Sequence, residues 1–315
     1  MYSTSTQKKE WTFTKEELQE RRKRANEAFR NKQAELLQPG EEAIFLTPDE
    51  EAKMIAVVEN AAIRFSDTFQ PPMWPSVRWT AYAYFKRLFL DWSVMEASPK
   101  IVMMACFYLA MKVEEFYVTI DEFVGNLKSG TPEQNTTRIL GLEPEIMRAL
   151  RPFEGHLVEM KTRMLLLNFN VESIREPADQ FFRQALLSDV MLMYPPSQIA
   201  LAALKYGLDS LDKSPDVLSE FLQKLMGVED DWKGMHGDAL QTIDKLINRQ
   251  VNRGDYQLTD IINIVNNVTR LGQEEQASLQ VRTDDWSALN VALEERRQSR
   301  PGYTKREEPV DSDDD

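Results

Sequence analysis

The sequence predicts an all-α protein, two consecutive five-helix bundles with additional helices at the N- and C-terminal ends, and three observations carry that prediction. Ile101 to Met111 is an uncharged run closed abruptly by Lys112, Glu114 and Glu115. A helix apolar on every side must be buried by other helices, and this one is too short to cross a bilayer. The run also recurs: Ile199, Ala203 and Tyr206 stand 98 residues after Ile101, Ala105 and Tyr108 without a gap, each copy behind a proline-led start and an aromatic segment. That period exceeds a solenoid repeat and fits a duplicated domain. Finally, 315 residues with 42% hydrophobic content are enough for two cores.

The elements follow in order. Lys15 to Leu37 carries Leu18, Ala25 and Phe29 at helical spacing, opens on a capping box of Thr14 with Glu17, and closes at Pro39-Gly40. Thr47 with Pro48 starts a second helix that runs to about Phe69, where Gln70 to Pro75 breaks it. Ser76 to Trp92 is a helix crowded with aromatic residues, and the buried helix follows, with Pro99 in its first turn. Ile120 to Leu127 is short and amphipathic. Ser129 to Pro132 is a loop, and Glu133 to Leu150 holds a helical pattern interrupted by Gly141 and Pro144, so that Glu143 reads as a helix start.

A second series begins at Arg151: Phe153 to Leu167, Pro177 to Met193, Ile199 to Leu211 behind Pro195-Pro196, Asp216 to Met226, Asp238 to Asn252 and Thr259 to Gln273. After Gln276 the chain is polar, with Trp286, Leu289 and Val291 as its apolar anchors, and it ends in Asp311-Ser312-Asp313-Asp314-Asp315; disorder is expected there. The domains are therefore drawn as an N-terminal arm and helix over 1–45, a first bundle over 46–150, a second over 151–252, and a C-terminal helix with an acidic tail over 253–315.

Charge and composition narrow the function. A net charge of -13 repels phosphate backbones and favours protein partners over nucleic acid. A single cysteine, Cys106, allows no intramolecular disulfide and suits cytosol or nucleus. No apolar signal segment is seen at the start and no run spans a membrane, so neither secretion nor membrane insertion is expected. Two histidines, His156 and His236, with one thiol cannot build a His/Cys zinc site, and no phosphate-binding glycine loop or HExxH motif occurs. No enzyme activity, cofactor or metal is expected. The basic run Arg21 to Arg24 reads either as a nuclear address or as one face of the first helix between acidic neighbours. Lys112, ending the buried helix, reads either as a cap on its last carbonyls or as a donor facing a partner.

Leu109-Ala110-Met111-Lys112-Val113-Glu114-Glu115, inside two successive helical bundles, resembles the paired cyclin boxes of the cyclin family. Tyr84-Phe85-Lys86-Arg87, Phe123-Val124-Gly125-Asn126-Leu127, Arg151-Pro152-Phe153-Glu154-Gly155 and Pro196-Ser197-Gln198-Ile199-Ala200-Leu201 carry the resemblance almost from end to end. It implies a nuclear regulatory subunit of the kinase that activates cyclin-dependent kinases. The partners implied are the cyclin-dependent kinase catalytic subunit, a RING-finger assembly factor and the core of transcription factor TFIIH. Carried over residue by residue, the resemblance makes Lys112 and Glu143 the groups that bond main-chain atoms of the kinase, with Val113 and Met147 packing beside them. It gives the chain no catalytic residue.

The sequence departs from the family where Leu150 runs straight into Arg151-Pro152 without a longer crossing, and where Ala52 to Val58 lacks the pattern of a groove for RxL substrates. Ser5, in a polar arm, and Ser312, before three aspartates, are expected phosphate acceptors. The same duplicated fold also serves other transcriptional cyclins and TFIIB-like factors that hold promoter DNA, but a DNA holder needs a basic face, and here acids exceed bases by 13.

Overall fold

A computed structural model describes residues 9–150, 172–211, 258–268 and 270–300. Numbered among those residues, the helices are α1 (Lys15–Gln33), α2 (Pro48–Thr68), α3 (Pro75–Leu88), α4 (Pro99–Val113), α5 (Ile120–Gly125), α6 (Pro132–Leu150), α7 (Glu172–Leu186), α8 (Val190–Met193), α9 (Pro196–Asp209), α10 (258–266) and α11 (Gln273–Gln298). No helix among them is long and apolar enough to cross a membrane.

Local chemistry starts these helices where the sequence says. Thr14 with Glu17, Thr47 with Glu50 and Thr119 with Glu122 each form a reciprocal capping box, and prolines occupy the first turns of α2, α3, α4 and α9, where their missing N–H costs nothing. The uncharged run becomes α4, with Val102, Met103, Cys106, Phe107 and Ala110 fully buried against α2, α3 and α6. Burial pushes the Cys106 thiol up, so it stays protonated and packs as a small hydrophobe. The recurrence has its counterpart in α9, where Ile199 and Ala203 are buried and Tyr206 meets Phe181 of α7 at 5.5 Å.

The two halves are joined by charge and aromatic contact. Asp67 of α2 accepts from Arg78 of α3 at 2.9 Å and from Arg183 of α7 at 2.8 Å, while Trp79 meets Phe182 edge-on at 6.0 Å. The N–H of Phe13 donates to the Leu192 carbonyl at 2.9 Å, and Arg22 of α1 grips both oxygens of Asp189 at 2.8 Å. Arg21 pairs with Asp91, and Lys23 and Arg24 pair with Glu27 and Glu20 along α1. The basic run is thus a paired helix face.

Several boundaries differ from the sequence reading. The aromatic helix stops at Leu88, with Phe89 to Trp92 in tight turns. The segment expected as one helix from Pro177 to Met193 begins earlier, contains Pro177, and breaks after Leu186, where the Ser188 hydroxyl bonds back to the Ala185 carbonyl and Asp189 is drawn to Arg22. Helix α10 ends at 266, short of Gln273, and Gly272 opens α11 with its N–H on Glu275.

The largest correction concerns the tail. Residues 277–298, expected to be disordered, form most of the helix α11. Its buried face is Leu279, Trp286, Leu289 and Leu293, whereas Val291, expected as an anchor, is exposed because it lies off that stripe. Trp286 packs on Phe29 and Phe45 at 5.6 and 5.4 Å. Arg282 bonds Glu50 at 2.7 Å and Arg296 bonds Glu41 at 2.6 Å, so basic side chains of α11 meet acids of the N-terminal half. Charges that suggested solvation on their own are satisfied by partners more than two hundred residues away. The expected helices over 153–167, 216–226 and 238–252, and the crossing after Leu150, lie outside the described residues in whole or in their decisive part.

Candidate functional site

The site is built where α4 ends. Helix α4 terminates in a Schellman motif: the Phe116 N–H donates to the Met111 carbonyl at 2.8 Å and the Glu115 N–H to the Lys112 carbonyl at 3.3 Å. Glu115 takes the left-handed conformation, φ 55°, that this motif usually gives to glycine. With those carbonyls satisfied by backbone, Lys112 is not needed as a cap. Its amino group instead crosses to α6 and donates to both oxygens of Glu143, at 2.7 and 2.8 Å, while lying 4.6 Å from the centre of the Tyr108 ring.

Glu143 is not a helix start. Helix α6 runs unbroken from Pro132 to Leu150 with Pro144 inside it. Pro144 is exposed and the carbonyl it leaves unserved belongs to Leu140, also exposed, so water can replace the lost bond. The other side of the helix is held by buried Ile139, Ile146 and Leu150. Tertiary packing therefore outweighs a penalty of about 3 kcal/mol for an interior proline.

Of the four residues expected to share a surface, the structure brings Lys112 and Glu143 into contact, with Met147 one turn beyond Glu143. Lys112 and Val113 end α4; Glu143 and Met147 are one turn apart on α6, beside Lys112. The side chain of Lys112 is 47% exposed and that of Glu143 15%, while Val113 and Met147 are 51% and 58% exposed. An ion pair that solvent and a partner can reach, on helices that also carry exposed apolar side chains, can exchange its hydrogen bonds for those of an incoming backbone. Two of the three Lys112 donors serve Glu143.

Sequence reasoning missed three exposed apolar residues nearby in the chain or on the same face: Leu140, one turn before Glu143; Tyr117, just past the α4 cap; and Trp74, whose ring meets Phe116 edge-on at 5.2 Å. Leu140 was readable from its spacing to Glu143 and Met147 once Pro144 is allowed inside the helix. Ser5 and Ser312 lie outside the described residues.

Comparison with known proteins agrees with the helical architecture. Residues 148–271 match the family model described as cyclin C-terminal domain. Over 319 aligned residues the chain is 33% identical to cyclin-H of Xenopus laevis, covering 96% of this chain and 92% of that protein. It is 31% identical to cyclin mcs2 of Schizosaccharomyces pombe, over 64% of this chain and 68% of that one. Among solved structures, a chain of the CAK complex from Chaetomium thermophilum bound to ATP-gamma-S superimposes with a TM-score of 0.65 at 22% identity, covering 98% of both chains. A chain of the yeast TFIIK complex of Kin28, Ccl1 and Tfb3 superimposes with a TM-score of 0.54 at 22% identity, covering 84% of this chain and all of that one.

Proposed function

The chain belongs to the cyclin family, with cyclin H as its kind, and from that premise we propose how it works and through which residues. It is the regulatory subunit that binds and allosterically activates a cyclin-dependent kinase, the module that phosphorylates other such kinases and, within TFIIH, the C-terminal domain of RNA polymerase II. It contributes no catalytic group. By binding the active arrangement of the kinase more tightly than the inactive one, it shifts that equilibrium without touching the transferred phosphate.

The two cyclin boxes are assigned to 46–150 and 151–252. The observation that carries the contact assignment is the reachable Lys112–Glu143 pair, with Val113 and Met147 exposed on the same two helices. On docking, Lys112 donates to carbonyls and Glu143 accepts from N–H groups at the end of a kinase helix, while Val113 and Met147 cover its apolar side. A RING-finger assembly factor completes the module, the TFIIH core receives it, and its place of work is the nucleus; nucleic acid and membrane are not direct partners. Support for a three-part module comes from the TFIIK relative, whose structure contains Kin28, Ccl1 and Tfb3.

Copurification from cells tests the partners: a cyclin-dependent kinase and a RING-finger subunit are expected together, and purified chain is expected to raise that kinase's turnover. Failure to do so rejects the reading.

A further inference from the structure

Three Ser/Thr-Pro pairs fall within the described residues, Thr47-Pro48, Ser98-Pro99 and Thr131-Pro132, and their surroundings are not equivalent. Thr47 sits inside a capping box: its hydroxyl donates to Glu50 at 3.0 Å and accepts the Glu50 N–H, and Glu50 is itself held by Arg282 of α11. A phosphate there would meet Asp49, Glu50 and Glu51 and break a tertiary contact. Ser98 is followed by buried Pro99 at the start of the core helix α4, so the proline cannot be presented to an enzyme.

Thr131 also accepts the N–H three residues on and touches one carboxylate, that of Glu133, but it differs from Thr47 and Ser98 in where it lies. Lys128 to Gln134 is a continuous exposed stretch. The hydroxyl's partners are local, the Gln134 N–H at 3.3 Å and the carboxylate of Glu133, so both can be surrendered without disturbing a packed residue. A cation reaches the same loop: Lys100 of α4 donates to the hydroxyl of Ser129, two residues before Thr131, at 2.7 Å, and Lys128 precedes Ser129 in the chain.

We infer that Thr131 is a phosphorylation site for a proline-directed protein kinase, and that its phosphate is received by Lys100. The Thr131 oxygen attacks the γ-phosphorus of ATP, the bond to the ADP oxygen breaks, and the hydroxyl proton leaves to the base of the modifying enzyme. The new dianion takes Lys100 from its neutral Ser129 acceptor and turns that contact into an ion pair. Helices α4 and α6 run side by side in the same direction, since Lys100 meets Ser129 at one end and Lys112 meets Glu143 twelve to fourteen residues further along each chain segment. Phosphorylation therefore tightens the start of the helix pair about 18 Å from the Lys112–Glu143 pair, at 1.5 Å per residue. The inference does not depend on the identity of the bound kinase.

The test is to incubate the full chain with ATP and a purified proline-directed kinase and to map phosphate by mass spectrometry. Modification at Thr131, lost in Thr131→Ala, restored in Thr131→Ser and unchanged in Thr47→Ala and Ser98→Ala, is the expected result. No modification at Thr131, or the same level of incorporation in Thr131→Ala, overturns the site. A rise in thermal midpoint on phosphorylation that disappears in Lys100→Ala supports the receiving lysine; a rise of equal size in that variant, or no rise in the unsubstituted chain, overturns that part.

Discussion

Two lysine–glutamate pairs in the first half of this molecule have opposite surroundings. Lys112 and Glu143 bridge α4 and α6 with side chains 47% and 15% exposed; Lys86 and Glu59 bridge α3 and α2 at 3% and 4%. The buried pair is embedded further. Tyr82 donates to the Glu59 carbonyl at 2.6 Å, and Asp189, bound by Arg22, lies 4.0 Å from Lys86. Burial raises the Glu59 carboxyl against the pull of Lys86 and Arg22. Burial acts the same way on Asp189, but there the Arg22 guanidinium wins and holds the carboxyl below its ordinary range. Removing such groups from water costs several kcal/mol per ion, which only a complete set of partners offsets. The buried pair is committed to joining α1, α2, α3 and α8. The exposed pair has no such commitment, and its bonds remain exchangeable.

The comparison breaks most visibly at Lys86. Lys86→Ala leaves Glu59 buried without its nearest cation, and chemical denaturation should record a loss of about 3–5 kcal/mol. Replacing both partners, Lys86→Met with Glu59→Leu, should recover most of that loss, because no lone charge stays behind. If the single variant costs no more than an exposed pair does, the distinction between the pairs is wrong.

At the exposed pair the effect moves from folding to binding. Lys112→Ala with Glu143→Ala should weaken kinase binding by about 2 kcal/mol or more, some thirtyfold, in a titration of the purified kinase. Far-ultraviolet dichroism should stay unchanged and unfolding stability should shift by no more than about 1 kcal/mol. Unaltered affinity rejects the assigned face.

A buried acid whose partners among the described residues are uncharged sharpens the contrast. Glu51 is bonded by the Ser93 hydroxyl, and burial pushes its carboxyl up to about 7 despite help from Ser93, Asn26 and the Val94 N–H. Its pKa is higher folded than unfolded, so between the unfolded value, near 4.3, and about 7 the native state binds the extra proton. Its contribution is present at low pH and lost as pH rises through 7. Unfolding measured from pH 5 to 8 should show wild type losing stability relative to Glu51→Gln, with a slope of up to about 1.4 kcal/mol per pH unit. Parallel profiles would show that Glu51 does not titrate in that range.

The smallest effect probes the cap that frees Lys112. Glu115→Gly removes the left-handed strain at φ 55° and should stabilise the chain by about 1 kcal/mol, read as a higher denaturation midpoint. A loss of stability would mean that the Glu115 side chain contributes more than its backbone strain costs.

Much of this was legible in the residues. The uncharged run with its proline start and charged end predicts α4; Thr14 with Glu17 and Thr47 with Pro48 predict two helix starts; Lys112 reads as the end of a buried helix. The failures share a cause. Pro144 reads as a break because local propensity counts the missing N–H but not the burial of Ile139, Ile146 and Leu150. The stretch from 277 to 298 reads as disordered because Arg282 and Arg296 look solvated until Glu50 and Glu41 are beside them.

The sequence by itself determined the helical class, the starts of several helices and the residues that end α4, since these rest on periodicity, capping and charge placed within a few neighbours. Tertiary structure alone decided that Lys112 bonds Glu143 rather than its own carbonyls, that Lys86 disappears into a charge-balanced interior, and that the C-terminal helix returns to the N-terminal half. Those outcomes depend on which distant groups share a dielectric environment, and an ion's worth is set by that environment rather than by its place in the chain.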